Sequence, residues 1–145
     1  CAELNVLISG DQLLPTISSN VSVFPTEPDA NPLADWIESL GRLKQRVPED
    51  VLVLPAHGKP FRGAHGRLDD LIAEHVDGLD ALAAFCVEPQ RAIDVFPALF
   101  RSKIDRNNLI MATGESVSHL NYLLNDGRLE ARRDADGVVW YRALE

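Results

Sequence analysis

The sequence has 145 residues, 46% of them hydrophobic and 25% charged, a balance that excludes a disordered chain and allows one ordinary domain or two small ones. A formal net charge of -8 argues against a general polyanion-binding surface, and no apolar run approaches the roughly 20 residues that span a bilayer. Two cysteines, Cys1 and Cys86, are too few for a disulfide framework; Cys86 falls in a helical apolar pattern, which favours a buried free thiol and a cytoplasmic protein.

"LNVLIS" at 4 to 9 predicts a short strand ending at Gly10. The next twenty residues, with prolines at 15, 25 and 28, predict a loop whose length is typical of a site rather than a mere connection. Asn31 and Pro32 then fit the N-cap and first position of a helix. Leu33, Trp36, Ile37, Leu40 and Leu43 recur at helical spacing along it, and Pro48 stops it. "VLVL" at 51 to 54 reads as a strand apolar on both faces, hence central and covered by helices. Two strands and one helix cannot close a core alone, so residues 1 to 61 are expected to be part of a larger sheet-and-helix domain. The missing initiator Met and the closing "LE", which resembles a tag scar, suggest a segment of a longer protein.

After Gly63 the pattern becomes helical. Leu68, Leu71, Ile72, His75, Val76, Leu79, Leu82, Ala83 and Cys86 form one stripe of a long helix. Pro89 opens a short second helix over "QRAIDVFPALF". Asp105 is expected to cap a third, burying Leu109, Thr113, Val117, Leu120 and Leu124 and ending at Asn125 to Gly127. "RLEARR" and "GVVWYRA" flank the turn 134 to 137, a hairpin signal. Three helices followed by a hairpin is the order of a winged-helix unit.

Two strand ends carry the candidate chemistry. Asp11 follows Gly10 directly, as either a rigidly mounted metal ligand or an Asx-type turn. His57, in "PAHG", is either an imidazole ligand or a ring satisfied by a backbone carbonyl. Two ligands fall short of the three or four that zinc sites use. His65, His75 and His119 fit exposed, packed and docking positions, and the loop serines 18, 19 and 22 have no histidine at meaningful sequence spacing.

Together "LISGDQLLP" and "LVLPAHGKPF", joined by "NPLADWIESLGRLKQ", resemble the last two metal-ligand motifs of the metallo-β-lactamase superfamily, in its hydroxyacylglutathione-hydrolase-like branch. The resemblance covers about residues 3 to 61. It implies an αββα sandwich around two zinc ions, with Asp11 bridging both metals and serving catalysis and His57 binding the second. Ala56 stands where glycine is common in the family, and the family's His-x-His-x-Asp-His cluster is absent from the sequence. From residue 62 the chain resembles the winged-helix-like C-terminal extension of one group of these hydrolases, most clearly over "ALFRSKIDRNNLIMATGESVSHLNYLLNDGRL".

The expected fold is therefore α+β: residues 1 to 61 as the C-terminal part of the sandwich, residues 62 to 145 as a winged-helix-like domain. The implied parent is a dizinc hydrolase cleaving a thioester, lactone or other ester-type small molecule; this chain alone is expected to be inactive and to bind zinc weakly or not at all. Two other readings stay open. One is a nucleic-acid-binding or RNA-cleaving module using Arg128, Arg132, Arg133 and Arg142, offset by Asp134, Asp136 and the overall acidity. The other is a lid or oligomer contact. Self-association through residues 1 to 61 is expected, and a membrane partner is not.

Overall fold

A computed structural model describes residues 1–144 as an α+β chain with four helices and two small sheets. Branched residues form β1, Val6–Gly10, and β2, Leu52–Pro55, which pair in parallel with Val6 opposite Leu52 and Ile8 opposite Leu54. Between them runs α1, Pro32–Arg46, and after them α2, Ala64–Phe85. A four-residue helix α3, Phe96–Leu99, and then α4, Leu109–Asn125, lead into an antiparallel hairpin, β3 Leu129–Arg133 and β4 Val139–Ala143. Among the described residues no helix is long and apolar enough to cross a membrane.

The chain packs as two units, Cys1–Ser19 with Trp36–His75, and Asn20–Asp35 with Val76–Glu145. In the first, Leu13, Leu14, Leu40, Val53, Leu68 and Leu71 are buried. Val53 is bonded on both edges, through its place in β2 and through a bridge to Phe61 (2.8 and 3.1 Å). The two-faced burial expected for β2 does not occur. Val51 and Val53 are buried, whereas Leu52 and Leu54 are half-exposed and their neighbour Ile8 is 81% exposed. Side chains alternate across a strand, so Val6, Ile8, Leu52 and Leu54 share one open apolar face.

The long-helix stripe is realised from Ala64 through Leu68, Leu71, His75, Leu79 and Leu82 to Cys86, all buried at three- and four-residue steps. Of the expected stripe, Ile72 and Ala83 are only half-buried and Val76 is 45% exposed. Burial pushes the Cys86 thiol up to about 11, which keeps it protonated and unreactive.

Three local expectations are corrected. Asn31 precedes α1, but its Oδ1 is buried without a partner, so it makes no side-chain cap. Asp105 does not cap α4. It accepts the Asn107 N–H at 2.8 Å while its own N–H donates to Asn108 Oδ1, an Asx-type turn, and Asn108 takes the N-cap position without a side-chain bond. The α4 stripe is also rotated from the expected one. Ala112, Ser116, Leu120 and Leu123 are buried, as are Ser118, His119 and Asn121, while Leu109 is exposed. The reason is the loop before α1: Asn121 Nδ2 donates to the carbonyls of Pro28 and Ala30 (2.9 and 2.8 Å), and the Val23 N–H donates to Gly114 O at 3.0 Å. Asn121 thus faces a backbone that needs donors, while the Ser116 and Ser118 hydroxyls are buried without a partner among the described residues, and helical periodicity of apolar residues registers none of them.

Gly114 is required by that crossing. A Cβ there would lie 2.9 Å from both Ser22 Cβ and Val23 O. Gly→Ala inside a helix ordinarily stabilises by roughly 1 kcal/mol, but overpacking against backbone costs about 1–3 kcal/mol, so the clash decides the sign. Gly114→Ala is expected to lower stability by up to about 2 kcal/mol. Gly78→Ala in α2, where nothing lies within 4 Å, is expected to raise it slightly. Urea unfolding of both variants checks this; equal shifts would contradict it.

Candidate functional site

Asp11 and His57 stand at the carboxyl ends of adjacent parallel strands, the edge at which open α/β sheets bind ligands. The register becomes irregular between Ile8 and Gly10, where Gly10 takes φ +55° and turns the chain off the strand immediately before Asp11. The Ala56 N–H donates to Gly10 O at 3.0 Å and ties the two exits together. Beyond His57, Gly58 at φ +86° packs against Pro15; a Cβ there would lie 2.7 Å from Pro15 Cγ. A glycine is needed for both the angle and the space.

The result is that His57 Nε2 and Asp11 Oδ1 approach to 3.5 Å. Their side chains are 67% and 62% exposed, so as an ion pair they contribute little to stability. Neither bland alternative is realised. Among the described residues no backbone N–H donates to the Asp11 carboxylate and no carbonyl takes the His57 ring. A hard anionic oxygen and an imidazole nitrogen therefore converge, a pair of donor types suited to a borderline divalent cation such as zinc. Among the described residues no group of three or more His, Cys, Asp or Glu side chains could hold a metal ion.

The other histidines are committed elsewhere. His65 Nε2 bonds Val47 O at 2.8 Å, and His119 Nδ1 donates to Glu115 O at 2.8 Å with burial holding its pKa below the usual imidazole value. His75 Nε2 meets Ser18 Oγ at 2.9 Å, and its ring lies edge-on to Trp36 at 4.8 Å. This serine–histidine contact joins residues 57 apart in sequence, and no local signal in the sequence marks it.

The four hairpin arginines are not brought to one surface. Arg128 pairs with Asp80 at 2.7 Å, Arg132 with Glu130 at 3.6 Å, and Arg133 donates to Gly137 O at 2.8 Å. Arg132 and Arg142 share a strand face with Glu130 and Trp140, while Arg133 points to the other. The Trp140 N–H donates to Asp134 Oδ2, which holds the Asp134 carboxyl below the usual carboxylate range and locks the turn.

Within the second unit a cavity of about 620 Å³ lies between residues 20–28 and the start of α4. Val23, Phe24, Pro25, Ile110, Met111 and Val117 dominate its lining, and among the described residues no titratable side chain lines it. Leu109, Thr113 and Val117, expected in the core, line this cavity instead.

An α+β chain with a carboxylate and an imidazole converging at parallel strand ends is thus the class of protein at hand. Residues 79–144 match the family described as metallo-beta-lactamase-like, C-terminal domain. A beta-lactamase domain protein from Burkholderia ambifaria is 45% identical over 96% of this chain, with a TM-score of 0.90. A metallo-beta-lactamase family protein from Thermus thermophilus is 28% identical over 97% of it, with a TM-score of 0.80. The chain belongs to the metallo-β-lactamase superfamily. It spans 41% and 42% of the length of those two structures. No curated protein matches it.

Proposed function

We propose that this chain supplies two metal ligands, Asp11 and His57, to a metal-dependent hydrolase acting on an ester-type small molecule such as a thioester or lactone. The observation that carries the reading is the 3.5 Å approach of the two side chains at the ends of β1 and β2. The superfamily is of hydrolase type, which supports the reaction class. A bound zinc-type metal supplies Lewis acidity toward the scissile oxygen and makes water more acidic. Asp11 and His57 would hold it, and the Gly10 and Gly58 turns would keep both donors aimed at one point.

The finer assignments rest on the sequence resemblance: two zinc ions, the hydroxyacylglutathione-hydrolase-like branch, and a division at residue 61 or 62 between sandwich and winged-helix-like extension. The order of α2, α3, α4 and the β3–β4 hairpin is compatible with that extension. The internal pairing of Arg128, Arg132 and Arg133 weighs against nucleic acid as its ligand.

A titration tests the pair directly. Calorimetry of the 145-residue chain near pH 7 is expected to show zinc binding no tighter than about micromolar, because two ligands do not make a closed site. In a nitrogen-15 spectrum of the same sample, zinc at about millimolar concentration should shift His57 and its neighbours first, and Asp11→Ala should remove that response. Zinc shifts centred elsewhere, or untouched by Asp11→Ala, would overturn the assignment.

A further inference from the structure

We propose that Arg67 is the positioning residue of the Asp11–His57 pair, a role that rests on the reading of those two side chains as ligands. Asp11 opens a loop rather than a regular element, and a loop left to itself does not hold a ligand to the half ångström or so that metal sites require. Something must hold this one. Arg67, near the start of α2, is positioned to do so: its side chain is only 13% exposed.

All three guanidinium nitrogens are used. Nε donates to Leu14 O at 2.9 Å, Nη2 donates to Ile17 O at 3.2 Å, and Nη1 pairs with Glu74 Oε1 at 3.1 Å. Two carbonyls of the Asp11 loop, three residues apart, are thus held by one rigid fork, whose third nitrogen pairs with the exposed Glu74. A lysine has no such fork, and its point charge on a flexible stem cannot hold both carbonyls in that fixed geometry. Other contacts hold the same loop: Ser9 Oγ donates to Leu13 O at 2.8 Å, Gln12 Nε2 donates to Ser39 Oγ at 2.8 Å, and Ser18 Oγ meets His75 Nε2 at 2.9 Å.

The clamp reaches His57 as well. Pro15 lies between the two carbonyls that Arg67 holds, and Pro15 is the residue against which Gly58 packs, immediately after His57. Fixing Leu14 and Ile17 therefore fixes the surface on which the second ligand's turn rests. Arg67 touches neither Asp11 nor His57; it acts through Leu14, Pro15 and Ile17.

The test uses the 145-residue chain with Arg67→Lys, Arg67→Gln and, as a control, Glu74→Gln, which removes the ion pair but neither carbonyl bond. Nitrogen-15 relaxation reads loop order without any metal. Residues 12–18 are expected to fall from order parameters near about 0.85 toward roughly 0.6 or below in both Arg67 variants and to stay unchanged in Glu74→Gln. The Gly58 amide resonance should move with them, while order elsewhere in the chain is retained. Zinc affinity, read from the His57 resonances, is expected to weaken roughly tenfold, the size of loss typical when a ligand's support is removed. If Arg67→Gln fails to fold, Arg67→Lys carries the test. A rigid loop in a folded Arg67→Lys or Arg67→Gln chain would overturn the proposal. If zinc leaves His57 unperturbed in the unsubstituted chain, the metal reading falls while the relaxation data still decide the clamp.

Discussion

Replacing Asp11 by Ala, in a protein that spans the full length of its superfamily relatives, is expected to lower kcat/KM by about a thousandfold, the equivalent of ~4 kcal/mol of lost transition-state stabilisation. Asp11→Asn should do nearly as much. It preserves the size of the side chain but removes the negative charge that a divalent cation requires. His57→Ala should fall in the same direction, with metal content dropping in both. Stability should hardly change. The two side chains are 62% and 67% exposed, and an exposed pair of this kind is worth at most about 1 kcal/mol. Kinetics on ester and thioester substrates, metal analysis and thermal unfolding of the same samples check this. Retained activity with a lost metal would remove the metal-dependent reading; lost activity together with a lost fold would point to a structural role for the pair.

The chain by itself is expected to associate through the open face of its first sheet, and a charge on that face should dissolve the association. Val6, Ile8, Leu52 and Leu54 lie on one side of β1 and β2, with Ile8 81% exposed, and β1 pairs only with β2 among the described residues. Exposed apolar strand surface and a free strand edge both favour pairing with another copy. Burying one isoleucine side chain contributes roughly 1.5–3 kcal/mol, so Ile8→Lys should weaken self-association at least tenfold. Val53 lies on the opposite face and is fully buried, so Val53→Lys would test folding instead. Sedimentation of the unsubstituted and Ile8→Lys chains over a range of concentrations measures the effect. A chain that stays monomeric throughout would show that the open face tolerates water.

Local sequence was enough for the elements that depend on period and punctuation. The stripe from Leu68 to Cys86 repeats at helical spacing, and burial follows it at Leu68, Leu71, His75, Leu79, Leu82 and Cys86. Pro32 and Pro48 bracket α1, and Gly137, at φ +83°, closes the hairpin turn that "DADG" signals. The strand-end placement of Asp11 and His57 was equally legible, because an apolar run broken by glycine or proline is a local pattern.

Their mutual approach was not. It requires β1 and β2 to be parallel neighbours, and pairing between segments some 45 residues apart is a tertiary fact, set by α1 crossing from one strand to the next. The rotated face of α4 has the same origin: Asn121 is buried there because the carbonyls of Pro28 and Ala30 come to meet it, and the Gly114 carbonyl accepts the Val23 N–H. Arg67 makes the point most sharply. On sequence it is a charged residue beside an apolar stripe, indistinguishable from a solvated one. Only the folded chain brings the carbonyls of Leu14 and Ile17 within reach of its guanidinium, and a hydrogen bond to backbone leaves no mark on the identity of the residue that accepts it.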